Sequence, residues 1–184
     1  VMDFLQYIIE SSDSKVIIIA EEYMDRLANI QDRIPLIEKV IIWPREKKEN
    51  LDLMGYKSEN YISWKNFIDN GSKNEPEIEL THLDHARLMY TSGTTSKPKG
   101  IIFSQLNIII KRFSRAIALP NINSDDTFLC YLPLFHTFGR YFELTGSIFW
   151  GSTYVFAQSP SFNSLLQDFT IFKPTIFISI PKRW

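Results

Sequence analysis

One cysteine in 184 residues excludes a framework of intrachain disulfides, because Cys130 has nothing to pair with. Charge of neither sign prevails: 20 Lys and Arg face 21 Asp and Glu, for a net charge of -1. That balance excludes attraction of the whole molecule to nucleic acid or to an anionic membrane, so any affinity for phosphate has to be local. No run approaches the roughly 20 uncharged apolar residues that a membrane span needs. A soluble protein of a reducing, cytoplasmic compartment is expected. Leader-like features are lacking too: the chain opens on Val1 with no charged-then-apolar segment and stops on Trp184 after an apolar run, which suggests a piece of a longer protein. What is present is apolar mass, 45% hydrophobic and 14% aromatic, enough to bury one good-sized core in a single domain.

Charge drifts along the chain. Residues 1–100 hold 13 basic and 17 acidic side chains, whereas residues 101–184 hold 7 and 4, so the second half is mildly basic. Periodicity predicts a helix over 2–11, a strand over 15–20, a helix over 21–31 and a strand over 38–43. The order is that of a βαβ unit. An apolar run such as Val16–Ile19, with no polar alternation, fits a parallel strand covered on both faces. The expected fold class is α/β, a layered and mostly parallel sheet flanked by helices, with ligands at the carboxyl ends of the strands.

Residues 44–80 turn polar and are read as a surface excursion. Within them, 61–69 places Trp64, Phe67 and Ile68 on one helical face expected to dock on the sheet, with Gly71 as the stop. From residue 86 the alternation resumes: strands over 86–91, 100–103, 127–132, 152–157 and 175–180, helices over 104–118, 136–149 and 162–172.

The segment Tyr90-Thr-Ser-Gly-Thr-Thr-Ser-Lys-Pro-Lys-Gly100 stands out between two of these strands. Gly93 lets backbone N–H groups turn toward an anion, Thr91, Ser92, Thr94 and Thr95 offer hydroxyls, and Lys97 and Lys99 add charge. Such a loop suits a polyphosphate, yet a turn rich in Ser, Thr and Gly is also ordinary, and composition alone leaves the two readings even. The spacing is not that of a P-loop kinase or GTPase: the glycines are not followed by Lys and then Ser or Thr, and the loop leads into a strand.

This segment closely resembles the AMP-binding signature Tyr-Thr-Ser-Gly-Thr-Thr-Gly-x-Pro-Lys-Gly of the adenylate-forming enzymes, with Ser96 in place of a glycine. Downstream, Tyr131-Leu-Pro-Leu-Phe-His-Thr-Phe-Gly-Arg-Tyr141 resembles the Leu-Pro-Leu-Phe-His segment of the same superfamily. Two motifs in the right order are far harder to obtain by chance than one. Residues 151–156 and 173–184 look like the long-chain acyl-CoA synthetase branch. The resemblance covers residues 84–184 strongly and the earlier residues diffusely.

The resemblance implies a fragment, residues 1–184, of the large N-terminal adenylation domain of an acyl-CoA synthetase-like ligase, with the C-terminal domain absent and the fragment inactive alone. It implies ATP, Mg2+ and coenzyme A, and a small-molecule carboxylic acid, a fatty acid, as the partner; a nucleic acid is not expected, and peripheral membrane contact is left open. Nucleotide contacts fall to Thr91, Ser92, Gly93, Thr94, Thr95, Ser96, Lys97, Lys99 and Gly100. Lys99 and His136 are the catalytic candidates, His136 beside the substrate carboxylate or thiol channel. Another adenylate-former, an aryl-CoA ligase or a peptide synthetase domain, is the alternative, and a non-catalytic nucleotide-binding homologue is a further one.

Other residues carry less. Phe135, Phe138, Tyr141, Phe142, Phe149 and Trp150 fit an acyl tunnel or plain core equally well. His82, Asp84 and His85 are assigned to a solvated loop rather than a metal site. Lys111, Arg112 and Arg115 among Ile109, Ile110 and Phe113 fit either a membrane-surface helix or a half-buried one. Cys130 is read as a buried small hydrophobe.

Overall fold

A computed structural model of the chain describes residues 4–44, 59–91 and 97–179. It forms two compact units: residues 1–79 with 92–100, and residues 80–91 with 101–184. Each unit holds its own cluster of buried apolar residues, where the composition suggested a single core.

In the first unit, strands β1 (Val16–Ala20), β2 (Lys39–Trp43) and β3 (Tyr61–Ser63) run parallel in that order. Val40, Ile41 and Ile42 of the central strand are buried. On the edge strand, Ile17 and Ile19 pack inward while Val16 and Ile18 are 52% and 59% exposed. The expectation that both faces of β1 are covered is therefore corrected: an uninterrupted apolar run does not distinguish a central strand from an edge strand whose second face is open.

The helix expected over 21–31 is broken into a 3₁₀ turn (Glu21–Tyr23), the short helix α2 (Met24–Ala28) and a second 3₁₀ turn (Gln31–Arg33). The buried residues Met24 and Leu27 of α2 and Ile30 just beyond it pack with Ile9 of α1 (Phe4–Ser11) against Val40 and Ile42. The helix expected over 61–69 also differs. Tyr61–Ser63 pairs with β2, and only Trp64–Asp69 is helical, as α3. The Ser63 hydroxyl accepts the Asn66 N–H at the helix start. Trp64 packs on Trp43, ring centroids 4.7 Å apart, while Phe67 and Ile68 remain exposed, so this helix docks through one residue and not through a face.

The second unit holds the paired strands β4 (His85–Thr91) and β5 (Lys99–Ser104), whose first two residues belong to the first unit, and the parallel sheet of β6 (Thr127–Cys130), β7 (Thr153–Phe156) and β8 (Ile176–Phe177) in the order β7-β6-β8. Central β6 buries Phe128, Leu129 and Cys130. Asp126 fastens the start of β6 to β8: its carboxylate accepts the Thr175 hydroxyl at 2.7 Å, and that hydroxyl oxygen accepts the Thr127 N–H.

Helix α4 (Gln105–Ala118) begins in a reciprocal cap between Ser104 and Asn107, and α6 (Phe162–Phe172) on the Ser161 hydroxyl. The helix expected over 136–149 is instead a π-helix over Phe138–Leu144 followed by α5 (Thr145–Trp150). The Arg140 carbonyl accepts from both the Thr145 N–H and the Thr145 hydroxyl, which holds the wider turn in place. Gly151 at φ 70° closes α5, a conformation that glycine adopts without strain.

Candidate functional site

Of the residues expected to contact nucleotide, Ser92, Gly93, Thr94, Thr95 and Ser96 lie outside the described residues. Their flanks are described. Thr91 is the last residue of β4 and is exposed. Lys99 and Gly100 open β5, also exposed, so the basic end of the motif belongs to a strand. The Lys97 ammonium sits over the Tyr7 ring of α1, 5.0 Å from its centroid, within the first unit.

His136 belongs to the second unit. It follows β6 through Tyr131–Phe135 and is exposed. Its backbone N–H donates to the Pro133 carbonyl at 3.0 Å, its own carbonyl accepts the Arg140 N–H at 3.0 Å, and its Nδ1 accepts the Phe138 N–H at 3.3 Å. The imidazole also stacks against Phe138, 6.1 Å between centroids. A ring this well fixed and still open to solvent is suited to meet a ligand.

Beside it lies a polar interior that sequence reasoning missed. Tyr141, Glu143 and Ser147 are each 1% exposed and Arg112 is 5% exposed. Neither carboxylate oxygen of Glu143 has a hydrogen-bond partner of normal geometry. Burial pushes its pKa up to about 8, outweighing the opposing pull of the nearby Cys130 thiol and Leu132 N–H. Burial and the neighbouring Glu143 push the Cys130 thiol up as well, so Cys130 is a neutral, buried side chain as read from the sequence. The Arg112 guanidinium is brought down to about 10, chiefly by burial and then by Arg115. Nothing in the sequence separated Glu143 from a solvated acid, because its burial comes from the π-helix that turns it inward.

Helix α4 inverts the ordinary amphipathic arrangement. Arg112 is buried, Lys111 lies over the rings of Phe103 and Tyr141, and Arg115 lies over those of Phe138 and Phe142. Ile109, Ile110, Phe113 and Ile117 are exposed. Of the aromatic residues left between tunnel and core, Phe142 and Trp150 pack on Phe128 of β6 and Tyr141 on Phe103, while Phe135 is 78% exposed. Asp84 spends its carboxylate on the Thr81 N–H, which holds its pKa below the usual carboxylate range. Among the described residues no group of three His, Cys, Asp or Glu is placed to hold a metal ion, and no helix is long and apolar enough to cross a membrane.

Comparison with known proteins gives this geometry a context. The chain is 28% identical over 192 residues to the long-chain-fatty-acid–CoA ligase ACSBG2 of Rattus norvegicus, covering 97% of this chain and 28% of that protein. It is 25% identical over 181 residues to the peroxisomal long chain acyl-CoA synthetase 7 of Arabidopsis thaliana, covering 98% and 25%. The chain thus spans about a quarter of the length of the curated relatives it matches. Among solved structures it superposes on the anthranilate CoA ligase AuaEII in complex with anthranoyl-AMP, with a TM-score of 0.79, 22% identity, and 94% and 32% of the two chains covered. It likewise superposes on the long-chain-fatty-acid-CoA ligase FadD1 of Archaeoglobus fulgidus, with a TM-score of 0.77, 21% identity, and 97% and 33% covered. The AMP-binding enzyme family model matches residues 3–184, nearly the whole chain: the protein belongs to the AMP-binding, adenylate-forming family.

Proposed function

We propose that the chain is the nucleotide-holding part of an acid–thiol ligase that activates a long-chain fatty acid. The carboxylate attacks the α-phosphorus of ATP, releasing pyrophosphate and leaving acyl-AMP; a coenzyme A thiol then displaces AMP and gives the thioester. Both substrates of the first step are anions, so the catalytic problem is to hold like charges in line and to accept the charge that develops on pyrophosphate.

The observation that carries this reading is the hydroxyl- and lysine-rich sequence of residues 91–100, whose described ends are the last residue of β4 and the first residues of β5, within a chain matched to the family over almost its full length. Donors from Thr91, Ser92, Gly93, Thr94 and Thr95, with Lys99, hold the β and γ phosphates, and Ser96, Lys97 and Gly100 complete the nucleotide contacts. Lys99 is the catalytic cation, and His136 meets the acid or its adenylate. Magnesium is expected to arrive on the phosphates, and coenzyme A enters as co-substrate. Residues 1–184 form part of the N-terminal adenylation domain and are inactive without the remainder.

Lys99→Ala in the intact natural protein tests this by ATP–pyrophosphate exchange. Exchange should fall more than about tenfold, the worth of a charge-assisted hydrogen bond. Unchanged exchange overturns the assignment. A second reading, an aryl acid as substrate, is favoured by the superposition on an anthranilate CoA ligase. Exchange supported by aryl acids but not by long-chain fatty acids would select it.

A further inference from the structure

The segment that carries His136 is fastened to the π-helix at several points. Gly139 lies so close beneath it that a Cβ there would stand 2.5 Å from the Pro133 carbonyl oxygen and 2.6 Å from that of Leu132. The Arg140 backbone N–H donates to the His136 carbonyl, and the Arg140 side chain reaches past it, Nε donating to the Leu134 carbonyl at 3.0 Å. Arg140 therefore grips this segment twice, once through its main chain and once through its guanidinium.

The same turn decides which ring nitrogen of His136 carries the proton. Nδ1 accepts the Phe138 N–H at 3.3 Å, so in the neutral ring the proton resides on Nε2. His136 is exposed, and the nitrogen left for a ligand is a donor. A donor is what an oxyanion requires; a general base would need the opposite arrangement.

We propose that Arg140 is a positioning residue for His136: by gripping the Leu134 carbonyl it keeps the 133–136 turn against the π-helix, and so keeps His136 as an Nε2–H donor to an oxyanion of the acid or its adenylate. This rests on the reading of His136 as a substrate-side residue given above. Arginine suits the task because the planar guanidinium places Nε–H close to the stem, in a fixed direction, while its distal nitrogens stay available to neighbours. Lysine has a donor only at the end of its chain and cannot reproduce that grip.

The test uses Arg140→Ala and Arg140→Lys in the intact natural protein, labelled with ¹⁵N-histidine. Two-bond ¹⁵N–¹H correlation reads the tautomer of His136, and pyrophosphate exchange reads kcat and KM for a long-chain fatty acid. The wild type should show Nε2–H. Both variants should mix in the Nδ1–H form and raise KM for the acid about tenfold, more than they lower kcat, as expected for a lost hydrogen bond to a charged group. Should Arg140→Ala not fold, Arg140→Lys carries the comparison, since it keeps the charge and most of the volume. A wild-type ring in the Nδ1–H form, a tautomer unmoved in a folded variant, or an unmoved KM overturns the proposal. A wild type that shows Nε2–H, loses it in the variants and yet supports no exchange with any acid overturns the ligase reading and leaves Arg140's control of the His136 tautomer standing.

Discussion

At the scale of single residues, Glu143 makes the sharpest statement. Its carboxyl is 1% exposed, and its pKa of about 8 lies above the ordinary carboxylate range. The folded state therefore binds a proton that the unfolded state releases between about pH 4.5 and 8, and stability falls as pH rises through that window. The loss reaches the order of a few kcal/mol. Urea midpoints of the wild type should drop between pH 5 and pH 9, whereas Glu143→Gln should give a flatter profile. Equal slopes would show that Glu143 is ionised in the folded protein. The sequence offered only its bare letter, since an acid three residues from an arginine, Arg140, looks the same whether buried or solvated.

At the scale of elements, packing decided what local pattern could not. Helix α6 was legible to its ends, Phe162 to Phe172, because Ser161 starts it and its apolar spacing holds the α period throughout. The start of α4 was legible for a related reason. Removing its cap with Ser104→Ala should cost about 1 kcal/mol, read as a lowered thermal midpoint, with Ser104→Asp largely restoring it. The π-helix was not legible. Its residues have the composition of an ordinary helix, and neither the Arg140–Thr145 bonds of the wider turn nor the close fit of Gly139 under the carbonyls of Leu132 and Pro133 is announced by helical spacing. Gly139→Ala is expected to destabilise by about 1–3 kcal/mol through overpacking and to disturb His136 together with the helix. A wild-type denaturation midpoint in this variant would show that the turn has room to spare. The His136 motif could be read from its letters, but the way its ring is held could not.

At the scale of the whole molecule, family membership extends over residues 3–184 while the chain accounts for about a quarter of its long-chain relatives. Much apolar surface is open: Ile109, Ile110, Phe113 and Ile117 share the outward side of α4, with Ile117 at 79%. A contiguous patch of this kind binds hydrophobic dyes and promotes association. The 184-residue chain, expressed alone, should enhance 8-anilinonaphthalene-1-sulfonate fluorescence. A variant carrying Ile110→Glu, Phe113→Glu and Ile117→Glu should lose most of that signal with its thermal midpoint little changed. The two motifs carried the family into view from sequence alone; which surfaces a longer protein would occupy depends on side chains such as Arg112 turning inward against the usual helical order.

The seat of Lys97 over the Tyr7 ring ties the far end of the signature segment to α1. A cation on an aromatic face at an exposed site is worth about 0.5–1 kcal/mol. On the proposed reading of Lys97 as a nucleotide contact, a triphosphate would have to outbid that ring to recruit the ammonium, so a change at Tyr7, remote from the signature in the chain, would alter how readily the nucleotide is captured.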